Sequence, residues 1–219
     1  MKYICFDTSS RTLLLSACNG RGEMEIKARE IDKFGSLLAV MVEQAIENLK
    51  IEVPKLDFIG VGVGPGSLTG LRVGIATAKG IAFPYDIRVV PFNSLDVLAS
   101  SIDDERFIVL RRGREGHYYW REYRERVPVR ETEFSSTAEL VSAIDLSGTK
   151  LFFDGEIEQA FERFDCSEVR HQDPSAMREI AVEKFAAGEF IGYSDLKPIY
   201  LQKSIAEINW ENRKTEKSH

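Results

Sequence analysis

The amino-acid sequence predicts an α/β protein made of two halves with the same order of elements. Short apolar, strand-like runs alternate with longer segments in which apolar residues recur at helical spacing. Three strands, a helix, a strand and a helix fill the first half, and the same order restarts after the acidic residues 103–105. The halves share no visible residue period, so the repeat is one of element order.

The elements of the first half follow from hydrophobic periodicity. Residues 3–7 and 13–18 are apolar runs joined by a polar turn, and residues 23–29 alternate strictly between polar and apolar side chains. We expect these three strands to pair antiparallel, and the later strand–helix–strand order to give parallel crossovers. The helices of this half are predicted at 36–50, 71–83 and 94–101, and its two further strands at 58–63 and 88–91.

After residue 103 the same patterns indicate a second set of elements. Strands are predicted at 107–110, 116–124, 127–133 and 150–154, and helices at 137–144, 156–164 and 175–187. We therefore expect an N-terminal lobe at 1–103, a C-terminal lobe at 104–206 and a polar tail at 207–219. Two lobes, each a mixed sheet with helices, fit the actin/Hsp70/sugar-kinase (ribonuclease H-like) architecture.

Composition and charge limit the partners and the cellular compartment that we expect for this chain. The formal net charge is −6 and the pI is about 5.3, so this chain alone is a poor ligand for a polyanion such as tRNA. The three cysteines have no metal-type spacing, and we interpret them as reduced thiols. No signal segment or membrane-spanning stretch is visible, which predicts a cytoplasmic protein without membrane contact.

The most informative segment is the glycine-rich run at residues 64–74. An apolar strand enters this run and a helix leaves it, so backbone N–H groups and the positive end of the helix dipole would favour an anion such as phosphate. The run lacks the Gly-Lys-Ser/Thr ending of a P-loop and the spacing of a dinucleotide fingerprint. A phosphate site and a tight turn without a ligand therefore both stay open.

The same run resembles a known family. Residues 64–83 read GPGSLTGLRVGIATAKGIAF, which resembles the hallmark segment of the bacterial TsaB (YeaZ) family. The opening strand ICFDTS at residues 4–9 and the motif PIYL at residues 198–201 resemble that family as well. The resemblance implies the two-lobed fold and a role beside TsaD, the catalytic paralogue, in placing threonylcarbamoyl on N6 of adenosine 37 in ANN-decoding tRNAs.

The resemblance also implies a set of partners. These are TsaD in a heterodimer, the ATPase TsaE, and another enzyme that delivers threonylcarbamoyl-adenylate. The tRNA would be met only through the complex, and a homodimer would form on the same helices when TsaD is missing. The chain itself is expected to be a non-catalytic scaffold, a pseudo-enzyme without catalytic residues.

Metal chemistry is not expected in this chain. Its three histidines include no pair that stands three or four positions apart. By resemblance, TsaD-like paralogues carry an HxxxH metal pair in the segment equivalent to residues 93–98, where this chain has Ser94 and Leu98. A hydroxyl and an aliphatic side chain cannot replace two imidazoles, so we expect no metal site.

A nucleotide cleft of the actin-like type would use strand ends from both lobes. Its vestigial candidates are Asp7, Thr8, Ser9, Gly64, Gly66 and Gly155. The alternative is that the Asp and hydroxyl side chains only close turns through backbone hydrogen bonds. We expect no cofactor and at most weak nucleotide binding, because no lysine or paired acid accompanies the glycine turn.

Two rival functions come from other classes. An independent ATP-dependent phosphotransferase or hydrolase would use Asp7, Asp154 and the glycine turn. An endopeptidase is less favoured, because neither Ser67 nor Cys5 has a recognisable histidine partner.

Residues 111–130 combine many arginines with tyrosines and a tryptophan. This composition suits a surface that stacks bases and meets phosphates. It also suits an edge hairpin with charge pairs and a half-buried aromatic face, which we favour. The segment matches the Asp-Ala-Arg motif of the family only in part, at residues 110–112.

Two helices of the first lobe carry more apolar residues than one sheet can cover. The helix at 71–83 is apolar nearly all round, and the helix at 36–50 has apolar residues outside its core stripe. The neighbouring helix of the same lobe could cover this surplus, but we favour a shared apolar patch that faces a partner. We place in it Leu37, Val40, Met41, Val73, Ala76, Thr77 and Gly80.

Overall fold

The computed structural model describes residues 1–29, 34–114, 116–143, 148–169 and 172–201. The first half contains β1 (Lys2–Asp7), β2 (Leu13–Asn19), β3 (Glu23–Ala28), α1 (Phe34–Leu49), β4 (Phe58–Gly62), α2 (Leu68–Ala82), β5 (Val89–Phe92) and α3 (Ser94–Ala99). The second contains β6 (Arg106–Arg112), β7 (His117–Arg124), β8 (Val127–Pro128), β9 (Glu133–Ser136), α4 (Thr137–Ala143), β10 (Lys150–Asp154), β11 (Cys166–Glu168) and α5 (Pro174–Ala186).

The described residues form two mixed sheets with the same strand topology. The strand order is β3-β2-β1-β4-β5 in the first sheet and β8-β7-β6-β10-β11 in the second, where β9 also pairs with β7. In each sheet the inner strands β1–β4 and β6–β10 are parallel, whereas the hairpins β1–β2 and β6–β7 are antiparallel. The sheets confirm the predicted α/β class, and their strand order repeats, but the two halves differ in the elements that follow their second parallel strand.

Helices cover both faces of the first sheet. On one face, α1 and α2 contribute residues such as Leu38 and Ile75 to the core. On the other face, Met177 of α5 packs against strand residues that include Phe58. α5 thus contacts the first sheet although it lies in the 104–206 segment, and the predicted lobe boundary stays a prediction.

The short helix α3 joins the two sheets. It follows β5 of the first sheet, and its side chains Leu95 and Leu98 share a core with Phe107 and Tyr123 of the second sheet. The halves are therefore connected by packing as well as by the chain.

The predicted strand at 127–133 is wrong. β8 has only 2 residues, and β9 begins at Glu133. Pro128 in β8 has no N–H for a ladder, and the two short strands pair with different stretches of β7.

The predicted helix at 156–164 is also wrong. The segment contains a single 3-10 turn, Gln159–Phe161, and the chain then forms β11, which the sequence did not predict. The apolar positions of residues 156–164 have helical spacing, but Phe161 packs against Tyr118 of β7 in an aromatic cluster. Packing between distant residues has overridden the local pattern here.

The remaining predicted elements are confirmed, with shifts of up to three residues at their ends. α2 begins at Leu68 rather than at residue 71, because the Ser67 hydroxyl accepts a hydrogen bond from the Gly70 N–H and caps the helix. The last residue of the predicted helix at 137–144 and the tail at 207–219 lie outside the described residues. Within the described residues, no helix is both long and apolar enough to cross a membrane.

Candidate functional site

The ends of inner strands from both sheets meet at the side chain of Arg111. Its Nε donates to Asp154 Oδ2 at 2.5 Å, and its Nη1 donates to Ser9 Oγ at 2.8 Å and to the Pro65 carbonyl at 2.6 Å. Ser9 and Pro65 follow β1 and β4 of the first sheet, whereas Arg111 and Asp154 belong to β6 and β10 of the second. We call these four residues the Arg111 cluster.

The residues after β1 lie directly against the glycine turn. A Cβ placed on Gly66 would stand 2.1 Å from the Ser9 carbonyl oxygen, and one on Gly70 would stand 2.0 Å from the Thr8 carbonyl oxygen. A Cβ on Gly62 would likewise stand 2.5 Å from the carboxyl carbon of Asp7. The glycines therefore let the two segments approach each other, which is the close backbone contact that a side chain forbids.

The polar groups of the same segment are engaged within the chain. Asp7 Oδ1 accepts from the Ser9 N–H at 2.7 Å, and Thr8 Oγ1 donates to the Gly70 carbonyl at 2.7 Å. The Ser67 N–H donates to the Ser9 carbonyl at 2.7 Å. These contacts favour the tight-turn interpretation of the glycine run over a phosphate cradle.

The other two candidate glycines differ in their surroundings. Gly64 has φ +102°, and a Cβ there would stand 2.9 Å from a methyl group of Leu71. Gly155 has φ +120°, follows Asp154 and has nothing within 4 Å of a Cβ position. The structure therefore brings Ser9 and Asp154 together through Arg111, while Gly155 lies at an open, exposed turn.

The second candidate site is the outer surface of α1 and α2. Val40 is 46% exposed, Ala76 and Gly80 are exposed, and nothing stands within 4 Å of a Cβ placed on Gly80. Leu37, Val73 and Thr77 are half-buried. We call these six residues, together with Phe83, the α1–α2 face.

One predicted member of this surface is misplaced. Met41 is 3% exposed and belongs to the core under the first sheet. It lies one turn from Leu38 and Ala45, which are fully buried, so it faces the sheet rather than a partner.

Sequence reasoning missed the aromatic end of the face. Phe83 is 67% exposed and Tyr85 is 51% exposed, in the 3-10 turn that follows α2. Phe83 continues the helical spacing of Val73, Ala76 and Gly80, which is the signal that could have found it.

Ser94 and Leu98, the positions that we compared with the HxxxH metal pair of TsaD-like paralogues, lie inside the protein. Leu98 is fully buried in the core that joins α3 to the second sheet, and Ser94 is 1% exposed. The ring of His117 stacks on Phe134 at 5.4 Å, and His171 and His219 lie outside the described residues. In the described part of the chain, no group of three or more His, Cys, Asp or Glu side chains could hold a metal ion.

The arginine-rich segment forms a charge-paired hairpin. Arg106 pairs with Glu122 at 2.9 Å, and Arg121 pairs with Asp96 at 2.9 Å. Tyr123 is buried and also donates to Asp96. Burial raises the pKa of the Asp96 carboxyl, against the opposing effect of Arg121. The charge pairs match the favoured hairpin interpretation, but β6 is an inner strand and Tyr118, Trp120 and Tyr123 are fully buried rather than half-buried.

Comparisons with known proteins identify relatives of this chain. A family model described as "TsaD: tRNA N6-adenosine threonylcarbamoyltransferase" matches residues 31–164. The tRNA threonylcarbamoyladenosine biosynthesis protein TsaB of Haemophilus influenzae is 27% identical over 190 residues, which cover 78% of this chain and 79% of that protein. TsaB of Escherichia coli is 24% identical over 227 residues, covering 94% and 96%.

A solved structure shares the fold. YeaZ from Pseudomonas aeruginosa superposes with a TM-score of 0.78 at 19% identity, over 91% of this chain and 99% of that one. This likeness confirms the predicted fold, and the sequence relatives and the family model extend over most of the chain. The chain belongs to the family that the TsaD model describes and, within it, to the TsaB (YeaZ) proteins.

Proposed function

We propose that this chain is a non-catalytic scaffold subunit of a tRNA-modifying complex. Its relatives are named for tRNA threonylcarbamoyladenosine biosynthesis, and we extend that role to this chain. It would support a TsaD-like catalytic subunit in forming N6-threonylcarbamoyladenosine at position 37 of ANN-decoding tRNAs. The observation that carries the proposal is the exposed α1–α2 face.

The composition of this face suits helix-on-helix docking. Small residues at Ala76 and Gly80 let another backbone approach closely, while Val40 and Phe83 offer apolar surface that water covers in the free chain. Burying such surface contributes roughly 25 cal/mol per Å². A TsaD-like paralogue would present helices of the same kind, which gives a contact of four helices.

The interior of the chain supports a division of labour with that partner. Leu98 packs in the core that α3 shares with the second sheet, and the Arg111 guanidinium lies where the two halves meet. We assign no catalytic residue, metal or cofactor to this chain. The chemistry would belong to the TsaD-like subunit.

The remaining partners follow from charge and from the family. A chain with a formal net charge of −6 would meet tRNA only through the complex. We propose that a TsaE-like ATPase joins the complex, that it assembles in the cytoplasm, and that the α1–α2 face forms a homodimer when the TsaD-like subunit is missing.

A second candidate function is an independent ATP-dependent phosphotransferase. The observation that favours it is that Arg111 links Asp154 to Pro65 of the glycine turn, because an actin-like kinase would place an acidic residue near the phosphates. The bond from Arg111 to Asp154 opposes it, since the carboxylate already pairs with a cation of the same chain.

The experiment is modification of an unmodified tRNA transcript by the complete set of purified proteins, with this chain present or left out. We expect modification to require both this chain and the TsaD-like subunit, and we expect none from this chain alone. Modification by this chain without the TsaD-like subunit would refute the non-catalytic role. Full modification without this chain would refute the scaffold role.

A further inference from the structure

We propose that Arg111 is an internal ligand that locks the two halves together and occupies the place of the nucleotide cleft predicted between them. This inference goes beyond the scaffold function, because it concerns the isolated chain and does not depend on any partner. It starts from one side chain whose hydrogen bonds reach residues 43, 46 and 102 positions away.

The contacts divide into an anchoring part and a bridging part. Asp154 lies directly opposite Arg111 in the parallel β6–β10 pair, so the Nε bond stays within the second sheet and orients the guanidinium. The two Nη1 bonds cross to the first half, to the Ser9 hydroxyl and the Pro65 carbonyl. The bond to Asp154 thus orients the guanidinium group, and the two Nη1 bonds join the second half to the first.

Burial makes this arrangement specific to arginine. Arg111 is 5% exposed, and its charge is balanced by the Asp154 carboxylate. A guanidinium presents several donors in one plane, whereas a lysine ammonium is a single point charge. Lysine could keep the bond to Asp154, but it could not also reach both oxygens of the first half.

The same contacts close the cleft to an outside ligand. The Ser9 hydroxyl, the Pro65 carbonyl and the Asp154 carboxylate are oxygen groups of the kind that hold a Mg²⁺–phosphate group. In this chain they surround a fixed cation of its own. Arg111 Nη2 is buried with no hydrogen-bond partner among the described residues, so the guanidinium is held by Nε and Nη1.

The test compares Arg111→Ala and Arg111→Lys with the control Arg112→Ala, by hydrogen exchange and mass spectrometry on the isolated chain. Arg112 is the next residue of β6 and pairs with Glu158 at 3.1 Å, within the second half. We expect both Arg111 variants to speed exchange at least tenfold in peptides 8–12 and 62–71 of the first half. The control should leave these peptides unchanged.

Changes confined to the second half, or equal to those of the control, would overturn the lock. If Arg111→Ala does not fold, Ser9→Ala removes one bridging bond and keeps the anchor, and it should speed exchange at least threefold in peptides 8–12 and 62–71. No change there would also overturn the proposal. Calorimetry on the unaltered chain should show no binding of Mg–ADP, and a micromolar dissociation constant would refute the filled cleft.

Discussion

The two halves share one topology but use the segment after their second parallel strand differently. After β4 the first half builds a glycine turn and the 15-residue helix α2, whereas after β10 the second half makes one exposed turn and a 3-10 turn. In the second half the apolar side chain Phe161 is buried inside its own half. In the first half the apolar side chain Phe83 lies outside. The second half thus uses this aromatic side chain for its own folding, whereas the first half leaves it exposed on the face where we propose that a partner docks.

The largest expected effect is the difference in stability between alanine variants of these two aromatic residues. Phe161 is fully buried and contacts Tyr118 at 5.3 Å and Phe153 at 5.0 Å between ring centroids. Phe161→Ala should therefore lower the free energy of unfolding by about 4 kcal/mol. Phe83→Ala removes a side chain that is 67% exposed and should lower it by about 0.5 kcal/mol. Urea denaturation measures both, and equal losses would contradict the comparison.

The next largest expected effect is the loss of stability when a glycine of either half is replaced by alanine. Gly70→Ala places a Cβ 2.0 Å from the Thr8 carbonyl oxygen, a backbone atom that cannot move aside, and should cost about 3 kcal/mol of stability. Gly155→Ala meets no atom within 4 Å and strains only its φ of +120°, so it should cost about 1 kcal/mol.

Gly80→Ala is the matched control within α2. It fills open space on a helix and should raise stability by about 0.5–1 kcal/mol. Thermal denaturation should rank the three variants by melting temperature, with Gly80→Ala highest and Gly70→Ala lowest. If Gly70→Ala and Gly80→Ala gave the same melting temperature, the close approach at the glycine turn would not exist in solution.

Sequence reasoning found the sheets better than it found the site. Local apolar runs predict β1, β2, β4 and β5, and strict alternation predicts β3. Helical periodicity predicts most of the α1–α2 face, but it wrongly included the buried Met41 and missed Phe83. Arg111 could not be found in this way, because its bonds to Ser9 and Pro65 join residues that are 102 and 46 positions apart. The helix predicted at 156–164 was wrong for the same reason, because the conformation of this segment depends on a contact between Phe161 and Tyr118 of a distant strand.

A matched pair of charge insertions tests which half receives the partner. Ala76→Arg puts a long cation into the α1–α2 face, where an unpaired charge would have to be desolvated on docking, and should weaken association with the TsaD-like subunit by about 2 kcal/mol, roughly thirtyfold. Ala138→Arg makes the same change at an exposed position of α4 in the second half and should leave association unchanged.

The readouts are gel filtration with the TsaD-like subunit and the tRNA modification assay, with circular dichroism to confirm folding. Association and modification should fall together for Ala76→Arg. Normal binding by a folded Ala76→Arg protein, or loss of binding by Ala138→Arg, would place the partner on another surface.

The smallest effect concerns the tie between α5 and the first sheet. Arg178 of α5 pairs with Glu23 of β3 at 2.9 Å, and the Tyr3 hydroxyl donates to the same carboxylate. Burial alone raises the pKa of Glu23, but the bonds from Tyr3 and Arg178 outweigh it and lower that pKa below its usual range. Neighbouring Glu25 has a raised pKa, mainly through burial, and partly offsets this effect.

Because the folded state lowers the pKa of Glu23, its ionised form adds stability that is complete above the unfolded pKa of about 4.3 and is lost as pH falls through the lower folded value. The pair is partly exposed, so we expect about 0.5 kcal/mol at pH 7. Urea denaturation of Glu23→Gln and the unaltered chain should show this difference at pH 6–7 and its disappearance towards pH 3. Glu47→Gln, at an exposed position of α1, controls for the loss of one acidic charge. A difference that stays constant down to pH 3 would mean that the ionisation of Glu23 does not stabilise the contact between α5 and the first sheet.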